Sequence, residues 1–305
     1  MKNRIEIIQG DIDNMYKIIY MGAYNEAICD ILINFKKVKI DSYIIDSSIS
    51  DIDKAKMKKF WEQNGICEVQ LTEDNIRKVD AVFVCGYTKI IKSELINKYT
   101  FVNIHAGNLP KWRGTSANSW AIVNGDYNIA YTIHRVTDEL DGGPIFYKYE
   151  YLLKKGEMYG DGRKQLEELL KSNLEEVFID ICSKKNQGIM QEGKYVYCNS
   201  FRKEDGYINN WNKNSSEIIG LYKIFGQPYG SGIYINYKGK TYELMDIESD
   251  DTFEEAIGIV GAIVNKNKEN VWIKTKDTAV KISKIKDEDE NVIEASEIFS
   301  IGARL

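Results

Sequence analysis

The sequence predicts an α/β protein: a Rossmann-like, mostly parallel twisted sheet with helices on both faces, followed by a small OB-like β-barrel domain. Three observations carry this. Short apolar runs of strand length alternate with stretches of helical period as far as about residue 185. Ala81 to Cys85 (AVFVC) is apolar without interruption, as expected of a parallel strand covered on both faces. Beyond about residue 200 the pattern changes to a succession of short strands, with Lys238-Gly239 as a hairpin turn.

Residues 1–14 carry no clear element. Met15 to Met21 (MYKIIYM) reads as a buried strand that Gly22-Ala23 breaks, and Asn25 to Phe35 then places apolar residues at helical spacing. Strand, glycine turn and helix make the first unit of a doubly wound sheet. A full GxGxxG is missing, which argues against a dinucleotide. The N–H groups of Gly22 and Ala23 suit either a phosphate at the helix N-terminus or a tight turn, and Tyr24 beside them suits stacking or packing. Val38 to Ile45 is a second strand, Ile52 to Asn64 a polar helix and Ile66 to Gln70 a short third strand. The AVFVC strand stops at Gly86-Tyr87-Thr88. Next comes Phe101 to His105, where residues i and i+2 face one way, so Asn103 and His105 project together at a strand's carboxyl end. An amide donor beside an imidazole suits acyl transfer; alone, the pair equally suits a structural histidine.

Trp112 to Asn124 turns from loop into helix, and Ala130 to Val136 is a strand with His134 in its middle, in a structural or substrate-edge role. The acidic loop Asp138-Glu139-Leu140-Asp141-Gly142-Gly143 follows, where glycines let backbone approach a ligand, and a strand from Ile145 to Tyr151 leaves it. From Met158 to Lys185, Leu166, Leu169, Leu170, Leu174, Val177, Phe178 and Ile181 recur at helical intervals, an amphipathic closing helix. The polar stretch of about 184–200 reads as a linker, so a catalytic domain over 1–200 and an accessory domain over 201–305 are expected. The latter opens with a helix from Ser215-Ser216-Glu217 to Phe225 and continues in about five short antiparallel strands.

At 305 residues, 43% hydrophobic and 29% charged, the chain has room for a large core. It holds no run near the roughly 20 apolar residues that span a bilayer, and no apolar signal core opens it. Five scattered cysteines without CxxC spacing read as reduced thiols, so a cytoplasmic protein is expected. Two histidines and no paired cysteines leave no zinc set, and no metal is expected. The net charge of −5 argues against nucleic acid as the dominant partner.

Three strings within 101–145 resemble the folate-dependent formyltransferases: Asn103-Ile104-His105, Leu109-Pro110-Lys111-Trp112-Arg113-Gly114 and Leu140-Asp141-Gly142-Gly143. Their order is the specific signal. Gly107-Asn108 departs from the serine and leucine that relatives often carry before the Leu-Pro. The resemblance implies transfer of a formyl group from N10-formyltetrahydrofolate to a primary amine. Asn103, His105 and Asp141 would be catalytic, with the split of base and acid between His105 and Asp141 open. Gly86, Tyr87, Ile90 and Ile91, with Asp138, Glu139 and Leu140, would receive the folate. The family's two-domain members include N-formyltransferases of nucleotide-linked amino sugars and methionyl-tRNA formyltransferase.

The acidic balance and the string SANSWAIVNGD favour the amino-sugar branch, with surface-glycan sugars of the pseudaminic acid or O-antigen type in view. Methionyl-tRNA formyltransferase is the alternative, and a catalytically silent folate- or nucleotide-binding protein a remote one. On the amine side Gly22, Ala23, Tyr24, Lys111, Trp112 and Arg113 are the candidate contacts. Lys111 and Arg113 suit a diphosphate or a structural turn equally, and Trp112 suits packing more than stacking. The oligomeric state stays open, a homodimer included.

Overall fold

The structure, a computed structural model, describes residues 15–250 and 256–305; the prelude 1–14 lies outside them. In chain order come β1 (Tyr16–Gly22), β2 (Val38–Ile45), β3 (Cys67–Glu68), β4 (Ala81–Cys85), β5 (Phe101–His105), β6 (Trp112–Gly114), β7 (Asn128–Arg135) and β8 (Ile145–Leu152). All but β6 join one seven-stranded sheet, ordered β3-β2-β1-β4-β5-β7-β8. The pairs β2–β3, β1–β2, β1–β4 and β4–β5 are parallel, and β5–β7 is antiparallel. This is the doubly wound order, reversing direction between β1 and β4, where ligands of such sheets sit at the strands' carboxyl ends.

The intervening helices are α1 (Glu26–Ile33), α2 (Asp51–Gln63), α3 (Glu73–Ile76), α4 (Ser93–Lys98), α5 (Ala117–Val123) and α6 (Tyr159–Cys182). Side-chain caps start two of them: Asn25 Oδ1 accepts from Ile28 N–H at 3.2 Å, and Ser50 Oγ from Asp53 N–H at 3.1 Å. Each such cap stabilises by about 1 kcal/mol.

Strand alternation covers both faces of the sheet. On one, Ile19, Met21, Val82, Val84 and Phe101 cluster with Ile76 of α3 and Ile96 of α4. On the other, Trp61 of α2 packs against Tyr20 and Tyr43, with ring centroids 5.2 and 6.2 Å apart. There too Phe178 of α6 meets Phe83 edge-on at 5.0 Å. Burying side chains of this size contributes about 1.5–3 kcal/mol each. Of the apolar residues that define the period of α6, Leu169 alone is exposed.

The chain forms two compact units interleaved in sequence. The first holds the described residues up to His105 with Tyr131–Tyr149 and Glu167–Gly193; the second holds Ala106–Ala130, Glu150–Leu166 and Lys194–Leu305. In the second unit β9 (Val196–Cys198) pairs in parallel with β6, so the stretch read as a linker contains a strand. Then follow α7 (Ser215–Phe225), β10 (Tyr234–Tyr237), β11 (Lys240–Leu244), β12 (Glu248–Ser249), β13 (Ile263–Lys266), β14 (Val271–Lys274), β15 (Ala279–Ile282), β16 (Lys284–Lys286), β17 (Val292–Glu294) and α8 (Ala295–Ile298).

Here two four-stranded sheets stand among the described residues, ordered β10-β11-β16-β17 and β12-β15-β14-β13, with antiparallel pairing. The expected five strands are therefore eight. β15 and β16 are parted at Ser283, whose N–H leaves the ladder for Asp246 Oδ1 at 2.6 Å. Lys238-Gly239 is the hairpin turn as read, both residues at positive φ (50° and 77°). Trp211, Ile218, Leu221, Ile235, Leu244, Ile273, Ile282 and Phe299 share this unit's core.

Candidate active site

β5 and β7 create the site by their register. Asn103 lies opposite His134 and His105 opposite Thr132, and residues paired across antiparallel strands share a face. The Asn103 amide Nδ2 comes within 3.0 Å of His134 Nε2. His134 Nδ1 is 2.9 Å from the Arg135 carbonyl, which can only accept, so Nδ1 carries the proton and the Nε2 of the neutral ring accepts from Asn103. Asp141 Oδ2 lies 3.5 Å from His105 Nδ1, and its Oδ1 lies 3.4 Å from His134 Nε2, which in this tautomer has no proton to give it. All three of these side chains are more than nine-tenths buried. Asn103, His105 and Asp141 are thus brought together as read. His134, read as structural or at the substrate edge, lies beside them.

The acidic loop is fastened so that Asp141 can aim inward. Asp141 sits in the left-handed region, at φ 51°. A Cβ on Gly143 would lie 2.0 Å from the Arg135 carbonyl oxygen, so only glycine fits there. Gln191 Nε2 donates to the carbonyls of Asp141 and Gly143, both at 2.7 Å. Gln191 lies in the stretch read as featureless linker.

The two stretches read as receiving the folate are linked through their flanks. Ser93 Oγ donates to Asp138, and Ile91 clusters with Val136. Within them Ile90 is 97% exposed and Leu140 60%, two apolar side chains offered outward from otherwise polar loops. Gly86, Asp138 and Glu139 are exposed and Tyr87 half-buried. Ile91 is buried among core residues, so its side chain serves the core and only its backbone can serve a ligand.

Beside these loops, the carboxyl ends of β1, β2 and β4 are tied to one another. Ala23 N–H donates to Cys85 O at 2.9 Å, and Asp46 N–H to Gly22 O at 2.9 Å. The Ala23 amide thus closes a strand seam, so of the two alternatives read for it the turn fits and the phosphate contact does not; Gly22 serves the same seam. Tyr24 packs on Phe60, ring centroids 5.6 Å apart.

Asp46 is fully buried. Burial alone raises a carboxyl pKa, but hydrogen bonds from Ser48 and Thr88 outweigh it and hold Asp46 down to about 2, from an ordinary 3.8. A depressed pKa favours folding while the carboxylate is charged. This contribution, about 2 kcal/mol, is complete above pH 4 and lost as pH falls toward 2. Unfolding of the wild type and Asp46→Asn followed between pH 7 and 2 should show their stability difference narrowing below pH 4. A constant difference would refute it.

Lys111, Trp112 and Arg113 lie in the second unit, each engaged inside it. Lys111 Nζ pairs with Asp126 at 2.8 Å, and Trp112 Nε1 donates to the same carboxylate at 2.9 Å. Arg113 is buried, its guanidinium carbon 3.9 Å from the centroid of the Tyr195 ring. Of the two roles open to it, the structural turn fits this placement, and Trp112 packs with Ala117 and Ala121. Among the described residues no group of three or more His, Cys, Asp or Glu side chains forms a metal site, and no helix is long and apolar enough to cross a membrane.

Known proteins resemble this chain in sequence and in fold. Methionyl-tRNA formyltransferase of Malacoplasma penetrans is 25% identical over 266 residues, covering 84% of this chain and 80% of that protein. The N-formyltransferase of Helicobacter canadensis, solved with folinic acid and dTDP-3-aminofucose, shares the fold with a TM-score of 0.63 at 17% identity, covering 88% of this chain and 99% of that one. HypX of Aquifex aeolicus shares it with a TM-score of 0.53 at 16% identity; 93% of this chain matches, spanning 48% of that one. The model of the formyl transferase family matches residues 46–182, that of the formyl transferase C-terminal domain matches residues 200–301, and the chain belongs to this family.

Proposed function

We propose that the chain is an N-formyltransferase that moves a formyl group from N10-formyltetrahydrofolate to the primary amine of a nucleotide-linked amino-deoxy sugar. The observation that carries the chemistry is the cluster of half-buried Asn103 with the buried side chains of His105, His134 and Asp141 at the carboxyl end of β5. The folate supplies the formyl carbon, held as an amide on N10. Asn103 directs an amide N–H at the carbonyl oxygen as it gains charge, which is worth about 3 kcal/mol in comparable sites. His134 accepts the other amide proton and so fixes which way Asn103 points. Asp141 orients His105 through Nδ1, which leaves Nε2 as the nitrogen that exchanges a proton with the amine. Asp141 balances the charge of His105 while that proton is held, and the proton then passes to N10 as the N10–formyl bond breaks, releasing tetrahydrofolate.

Exposed Ile90 and Leu140 fit the flat faces of a folate, and neighbouring backbone fits its polar edge. The catalytic domain on this reading is 1–200, and 201–305 is an accessory domain whose two small sheets we take as an OB-like barrel. We place the protein in the cytoplasm, where its substrates are made.

For the acceptor, the charge balance of 41 basic against 46 acidic residues supports a small ligand over a polyanion. The Helicobacter canadensis enzyme, solved with a nucleotide-linked amino sugar, supports the same class. Methionyl-tRNA is the second reading, favoured by the Malacoplasma penetrans relative. Salt separates the two. A tRNA substrate held by six or more phosphate contacts loses roughly 10³-fold or more in affinity between about 50 and 200 mM salt. Affinity for a dTDP-amino sugar, measured by calorimetry over that range, should change by less than about tenfold. Tight, steeply salt-dependent binding of tRNA beside no binding of any sugar nucleotide would favour the second reading.

A further inference from the structure

Asp46 directly follows β2, and neither oxygen of its carboxylate reaches water. A buried charge persists only where hydrogen bonds replace its lost hydration. Asp46 receives four. Ser48 gives its N–H at 2.9 Å and its hydroxyl at 2.7 Å to Oδ1; Thr88 gives its N–H at 2.6 Å and its hydroxyl at 2.8 Å to Oδ2. The two kinds of bond have different purposes. Those to Ser48 close a local turn two residues long, which Asp and Ser form in many loops. Those to Thr88 span 42 residues and join the loop after β2 to the loop after β4. Lys89 Nζ also reaches Ser47 Oγ, so the two loops are tied at a second place beside Asp46.

The second loop is the one read as a folate wall. Its ends are held, by Cys85 in the sheet and by Ile91 in the core, but Gly86, Thr88, Lys89 and Ile90 between them are exposed. A polar loop that offers a 97% exposed isoleucine keeps one shape only if its backbone is tied from beside. Asp46 supplies that tie from a neighbouring strand, and its low pKa keeps all four bonds intact throughout the neutral range.

We propose that Asp46 is a positioning residue for the formyl donor: by gripping Thr88 it sets the 86–91 loop in the shape that receives the folate. The inference rests on the N-formyltransferase reading above. Asp46 touches none of the reacting groups, so its contribution falls on donor binding and not on the chemical step.

The test uses the full chain and 5-formyltetrahydrofolate as a non-reacting probe, with binding measured by calorimetry and loop opening by amide hydrogen exchange. Asp46→Asn replaces one acceptor oxygen with a donor, Thr88→Val deletes one hydroxyl bond while leaving the core intact, and Ser48→Ala loosens the local turn alone. Asp46→Asn should weaken the probe by about tenfold, Thr88→Val by about threefold and Ser48→Ala by less than twofold. Exchange within 86–91 should rise in the first two, KM for 10-formyltetrahydrofolate should rise in step, and kcat at saturation should stay within about twofold of wild type. If Asp46→Asn does not fold, Thr88→Val decides by the same readouts. A wild type that fails to bind the probe refutes the folate reading itself. A wild type that binds while the folded variants match it in affinity, or lose kcat with the donor KM unchanged, overturns the role of Asp46 alone.

Discussion

His105→Ala lowers kcat by roughly 10²- to 10⁴-fold, the range that general acid–base residues contribute. The ring is buried, its Nδ1 is committed to Asp141, and no other imidazole but His134 lies nearby. His134 cannot substitute, because its Nδ1 is bound to Arg135 O and its Nε2 to Asn103. Asn103→Ala should cost about 10²-fold in kcat through loss of the oxyanion donor. Single losses within one acting cluster are not additive, so the double variant should be little worse than His105→Ala. Acceptor KM should move only a few fold, since both groups meet the reacting atoms alone. Steady-state kinetics of the three variants check this, and near-wild-type turnover by His105→Ala would remove the chemistry from this strand end.

Gly22→Ala should destabilise the first unit by about 3 kcal/mol or more. At Gly22 the backbone has φ 140°, a region closed to side chains. A Cβ there would lie 1.9 Å from the Cys85 carbonyl oxygen. That oxygen belongs to the neighbouring parallel strand and accepts the Ala23 N–H, so it cannot retreat without parting β1 from β4. The seam also holds Asp46 through Gly22 O, which couples its loss to the donor loop. A urea titration of Gly22→Ala measures the cost. A midpoint equal to wild type would show that the seam is softer than its geometry.

The sheet and the candidate reacting residues were legible for different reasons. AVFVC has no polar face, so a doubly covered strand was the reading open to it, and Asn103 with His105 follows from the strand period. What chain-order reasoning lacks is register. His134 stands 31 residues after Asn103, and nothing local says that β7 runs antiparallel to β5 with those two opposite each other. Asp46 was not singled out in the sequence, because its second pair of bonds comes from a loop 42 residues away. Gln191 and β9 were taken for linker since they have no period of their own; each is ordered by a partner distant in the chain. The C-terminal strands were undercounted because two- and three-residue strands such as β12 and β17 are too short to show alternation.

The proposed activity is tested most directly by supplying 10-formyltetrahydrofolate with, in turn, dTDP-, UDP- and CMP-linked amino sugars and methionyl-tRNA, at moderate salt. Mass spectrometry then reads which amine has gained one formyl group. The expected result is formylation of at least one amino-sugar nucleotide, abolished in His105→Ala, with methionyl-tRNA left unmodified. Efficient formylation of the tRNA with none of the sugars would contradict it.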